Sequence, residues 1–153
     1  MDRLLYSVSE VRLESFCHIT EDPKRVESAI LNLLPENLRD NVQISKEVLK
    51  GYYGNRIIHY TVRLFDEHAA ETLIFISNSI GSLDKRLIRS TFDLRVEGSR
   101  TLYLRFDKGR AFEGILSVSQ IDYSIKMRVK FRVKRSEEMF NLCRDLGLIV
   151  GDI

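Results

Sequence analysis

The sequence predicts an α+β fold, a two-layer sandwich in which one mainly antiparallel sheet carries helices on a single face. Three observations predict it. Apolar and polar residues alternate with a period of two in several segments, the pattern of strands with one wet face. Other segments place apolar residues at helical spacing behind residues suited to cap a helix. Several strand neighbours are joined too closely for helical crossovers, so at least part of the sheet must be antiparallel.

Taken in order, Val11, Leu13, Cys17 and Ile19 alternate with Glu10, Arg12, Glu14 and His18, a half-buried strand whose other face is charged. Asp22-Pro23 supplies a cap residue and then the imino acid favoured at the first helical position. Val26, Ala29, Ile30, Leu33 and Leu34 follow at helical spacing up to Pro35. A strand over residues 42–49 leads through Gly51-Tyr52-Tyr53-Gly54-Asn55 into a second over residues 57–65, which reads as a β-hairpin. Gly51 and Gly54 are expected either to adopt backbone angles closed to a residue with a Cβ or to sit where the chain passes closely. Asp66 can cap a helix striped by Ala69, Leu73, Ile76 and Ile80 and stopped by Gly81. Ser82 can cap a short one carrying Leu83, Leu87 and Ile88, and the pattern over residues 82–100 does not otherwise settle into an element. Leu102, Leu104 and Phe106 mark a strand, and residues 108–114 connect it to a short apolar segment over residues 115–118. Ile125, Met127, Val129, Phe131 and Val133 make the clearest strand, and Ser136 can cap a last helix closed by Gly147.

A chain of 153 residues with 44% hydrophobic content has the size of one ordinary domain, and no repeat or low-complexity linker suggests a second. Residues 1–153 are therefore expected to form a single domain. Two cysteines, Cys17 and Cys143, are too few for a disulfide framework and do not form a C-x-x-C pair, so reduced, buried thiols are expected. No run of 18 or more apolar residues occurs, and the N-terminus lacks the apolar core of a secretory signal. A cytoplasmic location without membrane contact follows as an expectation.

The formal net charge of +2 says little about partners, but its distribution says more. Residues 100–135 hold 10 Lys+Arg against 3 Asp+Glu, a net of +7, whereas residues 1–99 net −2 and residues 136–153 net −3. The excess centres on Lys126-Met127-Arg128-Val129-Lys130-Phe131-Arg132-Val133-Lys134-Arg135. In a strand Lys126, Arg128, Lys130, Arg132 and Lys134 project from the face opposite the core, spaced about 6.7 Å apart over roughly 27 Å. Such a row repels itself unless anions sit beside it. Glu10 and Glu14 can supply two if their strand is the neighbour, but two acids do not neutralise five bases. Arg105, Lys108 and Arg110 belong to the same basic segment, and Tyr52, Tyr53 and Tyr103 offer rings for base stacking, Tyr53 and Tyr103 foremost, although strand and turn tyrosines commonly pack at a core edge.

Catalytic patterns are not evident. His18, His59 and His68 lack metal-ligand spacing, and neither a G-x-S-x-G elbow nor a phosphate-binding P-loop occurs, so no catalytic residue, metal or cofactor is expected. Asp107 and Lys108 would point apart if their strand continued.

Two stretches resemble a known family. Lys50-Gly51-Tyr52-Tyr53-Gly54-Asn55-Arg56-Ile57, followed by Leu102-Tyr103-Leu104-Arg105-Phe106-Asp107-Lys108-Gly109-Arg110-Ala111-Phe112-Glu113-Gly114, is similar to archaeal proteins described as RNA-binding and exosome-associated. Arg56 and Gly109 depart from that family's usual Pro and Gln. The resemblance implies a fold like ribosomal protein L5, RNA as the ligand and exosome subunits as partners. The expectation is a non-catalytic RNA-binding protein that contacts phosphates through Arg105, Lys108, Arg110, Lys126, Arg128, Lys130, Arg132 and Lys134. The alternative is a scaffold or homodimer whose charged face docks an acidic protein or a second copy.

Overall fold

Alternation of buried and half-buried residues fixes which way each strand faces, and the pairing of those strands builds one sheet. The computed structural model describes residues 2–51, 53–121 and 123–150. Strands β1 (Val8–Cys17), β2 (Ser45–Lys50), β3 (Arg56–Phe65), β4 (Val96–Glu97), β5 (Thr101–Asp107) and β6 (Ser124–Phe131) lie in the order β2-β3-β1-β6-β5-β4. Every neighbouring pair is antiparallel. The helices are α1 (Asp2–Ser7), α2 (Pro23–Leu31), α3 (Asp66–Ser79), α4 (Ser82–Ser90), α5 (Phe92–Arg95), α6 (Lys108–Phe112) and α7 (Ser136–Leu146).

One face of the sheet makes the core. Val11 and Leu13 of β1, Tyr60 and Val62 of β3, Leu102 and Leu104 of β5, and Met127 and Val129 of β6 are all at most 1% exposed. They join one cluster with Val26 and Ile30 of α2, Leu73 and Ile76 of α3, and Met139 and Cys143 of α7. The residues between them on the same strands are half-buried or exposed, so the sandwich has two layers and the second sheet face is open. A one-residue slip of β6 would carry Lys126, Arg128 and Lys130 into the core, which is why this register is strongly specified. Both cysteines are buried and unpaired, and burial pushes the Cys143 thiol well above its ordinary value.

Local signals explain most boundaries. Asp22 accepts a hydrogen bond from the Lys24 N–H at 3.0 Å and caps α2, with Pro23 opening the helix. Gly147 closes α7 at φ 84°. Gly54 sits at φ 80° in the hairpin turn, and a Cβ on Gly51 would lie 3.0 Å from Ile57 Cδ1 and 3.3 Å from the Asn55 carbonyl oxygen. Tyr52 lies outside the described residues.

Elsewhere the chain departs from expectation for physical reasons. Helix α2 stops at Leu31, and Asn32 donates through Nδ2 to the Ala111 carbonyl, which ties the helix end to α6. Ile19 is 65% exposed because β1 ends at Cys17. Asp66, Ser82 and Ser136 do not cap with their side chains. Asp66 instead takes φ 52° where β3 turns directly into α3, and its carboxylate pairs with Arg132. Residues 108–112 form helix α6 rather than a plain connection, because Asp107 accepts from the Arg110 N–H at 2.8 Å and caps it. Residues 82–100 resolve into α4, α5 and the short edge strand β4.

Candidate nucleic-acid interface

The open face takes its chemistry from which residues the register sets side by side. Along β6 it carries Lys126, Arg128 and Lys130, and β1 sets Glu14, Arg12 and Glu10 opposite them. On the far side of β1, Arg12 faces Arg63 of β3. On the far side of β6, Arg128 faces Tyr103 and Lys126 faces Arg105 of β5. Three arginines on three adjacent strands, Arg63, Arg12 and Arg128, thus form a row across the sheet that crosses the basic row along β6. Neighbours are about 4.8 Å apart across strands and about 6.7 Å apart along one.

Together β1, β3, β5 and β6 present six cations here (Arg12, Arg63, Arg105, Lys126, Arg128 and Lys130) against the carboxylates of Glu10, Glu14 and Asp107, to which the edge strand β4 adds Glu97. Most of these carboxylates are engaged elsewhere. Asp107 caps α6, Glu14 Oε2 lies 3.3 Å from His59 Nε2, and Glu10 Oε1 reaches Arg128 Nη2 only at 3.6 Å. Among the described residues no carboxylate comes within ion-pairing distance of Arg12. Its Nε, like Arg128 Nε and Glu10 Oε1, is buried without a hydrogen-bond partner. A cavity of about 190 Å³ opens on this face, lined by Arg12, Arg105, Lys126, Arg128, Tyr103 and Glu14. Four cations around one carboxylate suit a phosphate group.

The edge of the sheet adds one charge of each sign. A hydrogen bond to Glu97 raises the Tyr103 hydroxyl above its ordinary value, with burial adding to it and Arg128 opposing. Burial, and then the charge of Arg105, lower Arg95 of α5, which places another guanidinium beside that strand.

A larger cleft, about 890 Å³, lies between α2 and α6, but its charges alternate in sign: Arg25, Lys108 and Arg110 against Glu21, Asp22, Asp107 and Glu113. Lys108 is 4% exposed and donates to the Phe16 carbonyl at 2.6 Å and to both Glu21 carboxylate oxygens at 3.2 and 3.3 Å. The Tyr123 hydroxyl donates to Glu21 Oε2 at 2.8 Å, and Lys108 Nζ lies 4.3 Å from the centre of the Tyr123 ring. All three ammonium protons have acceptors, so this lysine is a fastener between β1 and α6.

Residues 10–131 match a protein family described as RNA binding. The chain belongs to this RNA-binding family. It is 30% identical over 126 residues to a Pyrococcus abyssi protein named as RNA-binding, with 80% of each chain covered. An uncharacterised protein of Methanocaldococcus jannaschii is 32% identical over 138 residues, covering 86% of this chain and 91% of that one. The crystal structure of an Archaeoglobus fulgidus protein superposes with a TM-score of 0.77 at 25% identity, covering 91% of this chain and 99% of that one.

The segment matched to the RNA-binding family begins at Glu10 and ends at Phe131, so it contains every cation of the open face. Of the sequence-derived candidates, Arg105, Lys126, Arg128 and Lys130 come together there. Arg132 and Lys134 do not extend the row, because β6 ends at Phe131. The Arg132 guanidinium donates to the Tyr6 and Val8 carbonyls and pairs with Asp66. Lys134 is exposed beyond the strand, Arg110 is exposed on α6, and Lys108 is buried. Tyr103 lies on the open face, whereas Tyr53 is 85% exposed at the hairpin turn. Arg12 and Arg63 were absent from the sequence-derived set. Alternation does assign Arg12 to the wet face of β1, but nothing local to either residue says that β1 lies between β3 and β6.

Proposed function

We propose that the protein binds RNA without acting on it chemically, holding phosphates on the open sheet face through Arg12, Arg105, Lys126, Arg128 and Lys130. The observation that carries this reading is Arg12, set between Arg63 and Arg128 with no carboxylate at ion-pairing distance among the described residues. Opposed like charges destabilise a sheet, so their retention on one face fits a polyanionic ligand that neutralises them. Membership of the RNA-binding family supports RNA as that ligand. The resemblance of residues 50–57 and 102–114 to exosome-associated proteins supports an exosome subunit as protein neighbour, and crosslinking that recovers bound RNA and adjacent proteins from native cells tests it.

Titration with RNA at rising salt tests the central claim. Four to five phosphate contacts on a single strand give a log–log slope of roughly −3, from about −0.7 per contact. An acidic peptide of matched length should bind far more weakly. Equal affinity for the peptide, with the same salt dependence, would favour a protein-docking face and overturn the reading.

A further inference from the structure

We propose that the RNA is single-stranded where it meets the protein and that one unpaired base stacks on the exposed part of the Phe16 ring, beside the cationic rows. This rests on the RNA-binding reading above. Phe16 is the odd residue of the open side of β1. Along β1 the open side carries Glu10, Arg12 and Glu14, and then a phenyl ring that is 38% exposed. A ring in that place forgoes the burial that stabilises aromatic side chains in a core.

Directly opposite on β3 is His59, with ring centroids 4.6 Å apart and planes 23° from parallel. That separation matches the strand spacing of about 4.8 Å, so the two rings stand off the sheet as rungs of a cross-strand stack. His59 covers one side of Phe16, and the other side looks towards β6. Extending the Glu14–Lys126 register by two residues brings Ser124 beside Phe16, and Ser15 Oγ donates to the Ser124 carbonyl at 3.0 Å to hold the strands together there. Ser124 is small, and its hydroxyl oxygen is buried without a hydrogen-bond partner. Next across is Asp107, whose carboxylate turns to the Arg110 N–H. The aromatic column therefore ends at Phe16, because neither Ser124 nor Asp107 continues it with a ring.

A planar base extends this ladder by stacking on the solvent-exposed part of Phe16, above the covered Ser124. Charge argues for a nucleotide rather than another flat ring. Lys126 and Arg105 stand one position along their strands, about 6.7 Å away, and the 190 Å³ cationic cavity opens beside them. The intervening carboxylate, Glu14, is drawn towards His59. Lys108 fixes the backbone of the site through its 2.6 Å hydrogen bond to the Phe16 carbonyl. Duplex RNA does not fit this arrangement, because its bases are already stacked and paired inside the helix.

The test measures binding of a single-stranded RNA and of a duplex of the same length across a salt series, for the wild type, Phe16→Leu and Phe16→Tyr. Wild type should prefer the single strand. Phe16→Leu should weaken single-strand binding by about 5- to 100-fold, the worth of one stacked base, without changing duplex binding or the salt slope. Phe16→Tyr keeps the ring and should bind like wild type. A single strand carrying 2-aminopurine should change fluorescence on binding wild type and Phe16→Tyr, but not Phe16→Leu. If the leucine variant fails to fold, the wild-type signal decides, and its absence at saturation overturns the site. Undiminished single-strand binding by Phe16→Leu, or a duplex bound as tightly as the single strand, removes the stacking site and leaves the phosphate contacts standing. Failure of the wild type to bind either RNA overturns the RNA-binding reading itself.

Discussion

Replacing Arg12 by Met should make the protein more stable and, at the same time, a weaker binder of RNA. Arg12 faces Arg63 across one strand boundary and Arg128 across the other, and its Nε is buried without an acceptor. Directly opposed like charges cost up to the roughly 0.2–1 kcal/mol that a cross-strand pair is worth, so removing two such contacts contributes at most about 2 kcal/mol. Methionine keeps an unbranched apolar stem over the sheet, and the unsatisfied N–H disappears with the guanidinium. For a chain of this size a gain of about 1 kcal/mol raises Tm by about 2–4 °C. The gain should be largest at low salt and shrink as screening weakens the repulsion in wild type. One phosphate contact is lost as well, so the log–log salt slope for RNA should become shallower by about 0.7. Thermal unfolding at low and high salt, with RNA titrations under the same conditions, reads all three effects. A lower Tm at low salt would refute the repulsion argument. Unchanged RNA affinity and slope would remove Arg12 from the interface.

Four further outcomes follow from particular residues. Arg128→Gln with Lys130→Gln should flatten the RNA salt slope by about 1.4 and weaken all RNA sequences alike, because phosphate contacts carry no base readout; electrophoretic or fluorescence titrations check it, and sequence-selective weakening would count against it. Lys108→Met leaves the half-buried Glu21 without its cation and should cost up to about 3 kcal/mol in urea unfolding. Burial pushes the Glu21 carboxyl up, but hydrogen bonds from the His18 N–H and the Tyr123 hydroxyl, with the Lys108 charge, outweigh it and hold the group below the usual carboxylate range. Its stabilisation is therefore complete above the unfolded value of about 4.3 and is lost as pH falls through the lower folded value, so Glu21→Gln should flatten the acid limb of the stability profile. Gly54→Val forces a β-branched residue to φ 80° and should destabilise the hairpin by about 1–3 kcal/mol, whereas Gly51→Val presses on Ile57 Cδ1 and the Asn55 carbonyl oxygen without a positive φ and should cost less; equal and negligible shifts in Tm would mean that neither backbone position is constrained.

What the sequence by itself determined is everything that depends on near neighbours in the chain. Period-2 alternation assigned Ile125, Met127, Val129 and Phe131 to the core and Lys126, Arg128 and Lys130 to solvent, and all seven lie as that pattern requires. Asp22-Pro23 announced the start of α2, and Gly54 and Gly147 marked positions that need a positive φ, because capping and backbone sterics act within a few residues. The same local logic overran where a distant partner intervened. Arg132 keeps the parity of the basic row, but carbonyls of Tyr6 and Val8 and the carboxylate of Asp66 take its guanidinium where β6 leaves the sheet. Lys108 reads as one more surface cation, yet Glu21 and Tyr123, brought in from two other loops, bury it. The arginine row of Arg63, Arg12 and Arg128 and the Phe16–His59 stack exist only because β1 lies between β3 and β6. Alternation tells each strand which side faces water, but not which strand comes next, and pairing between residues some fifty and a hundred positions apart is decided by the burial of the whole core.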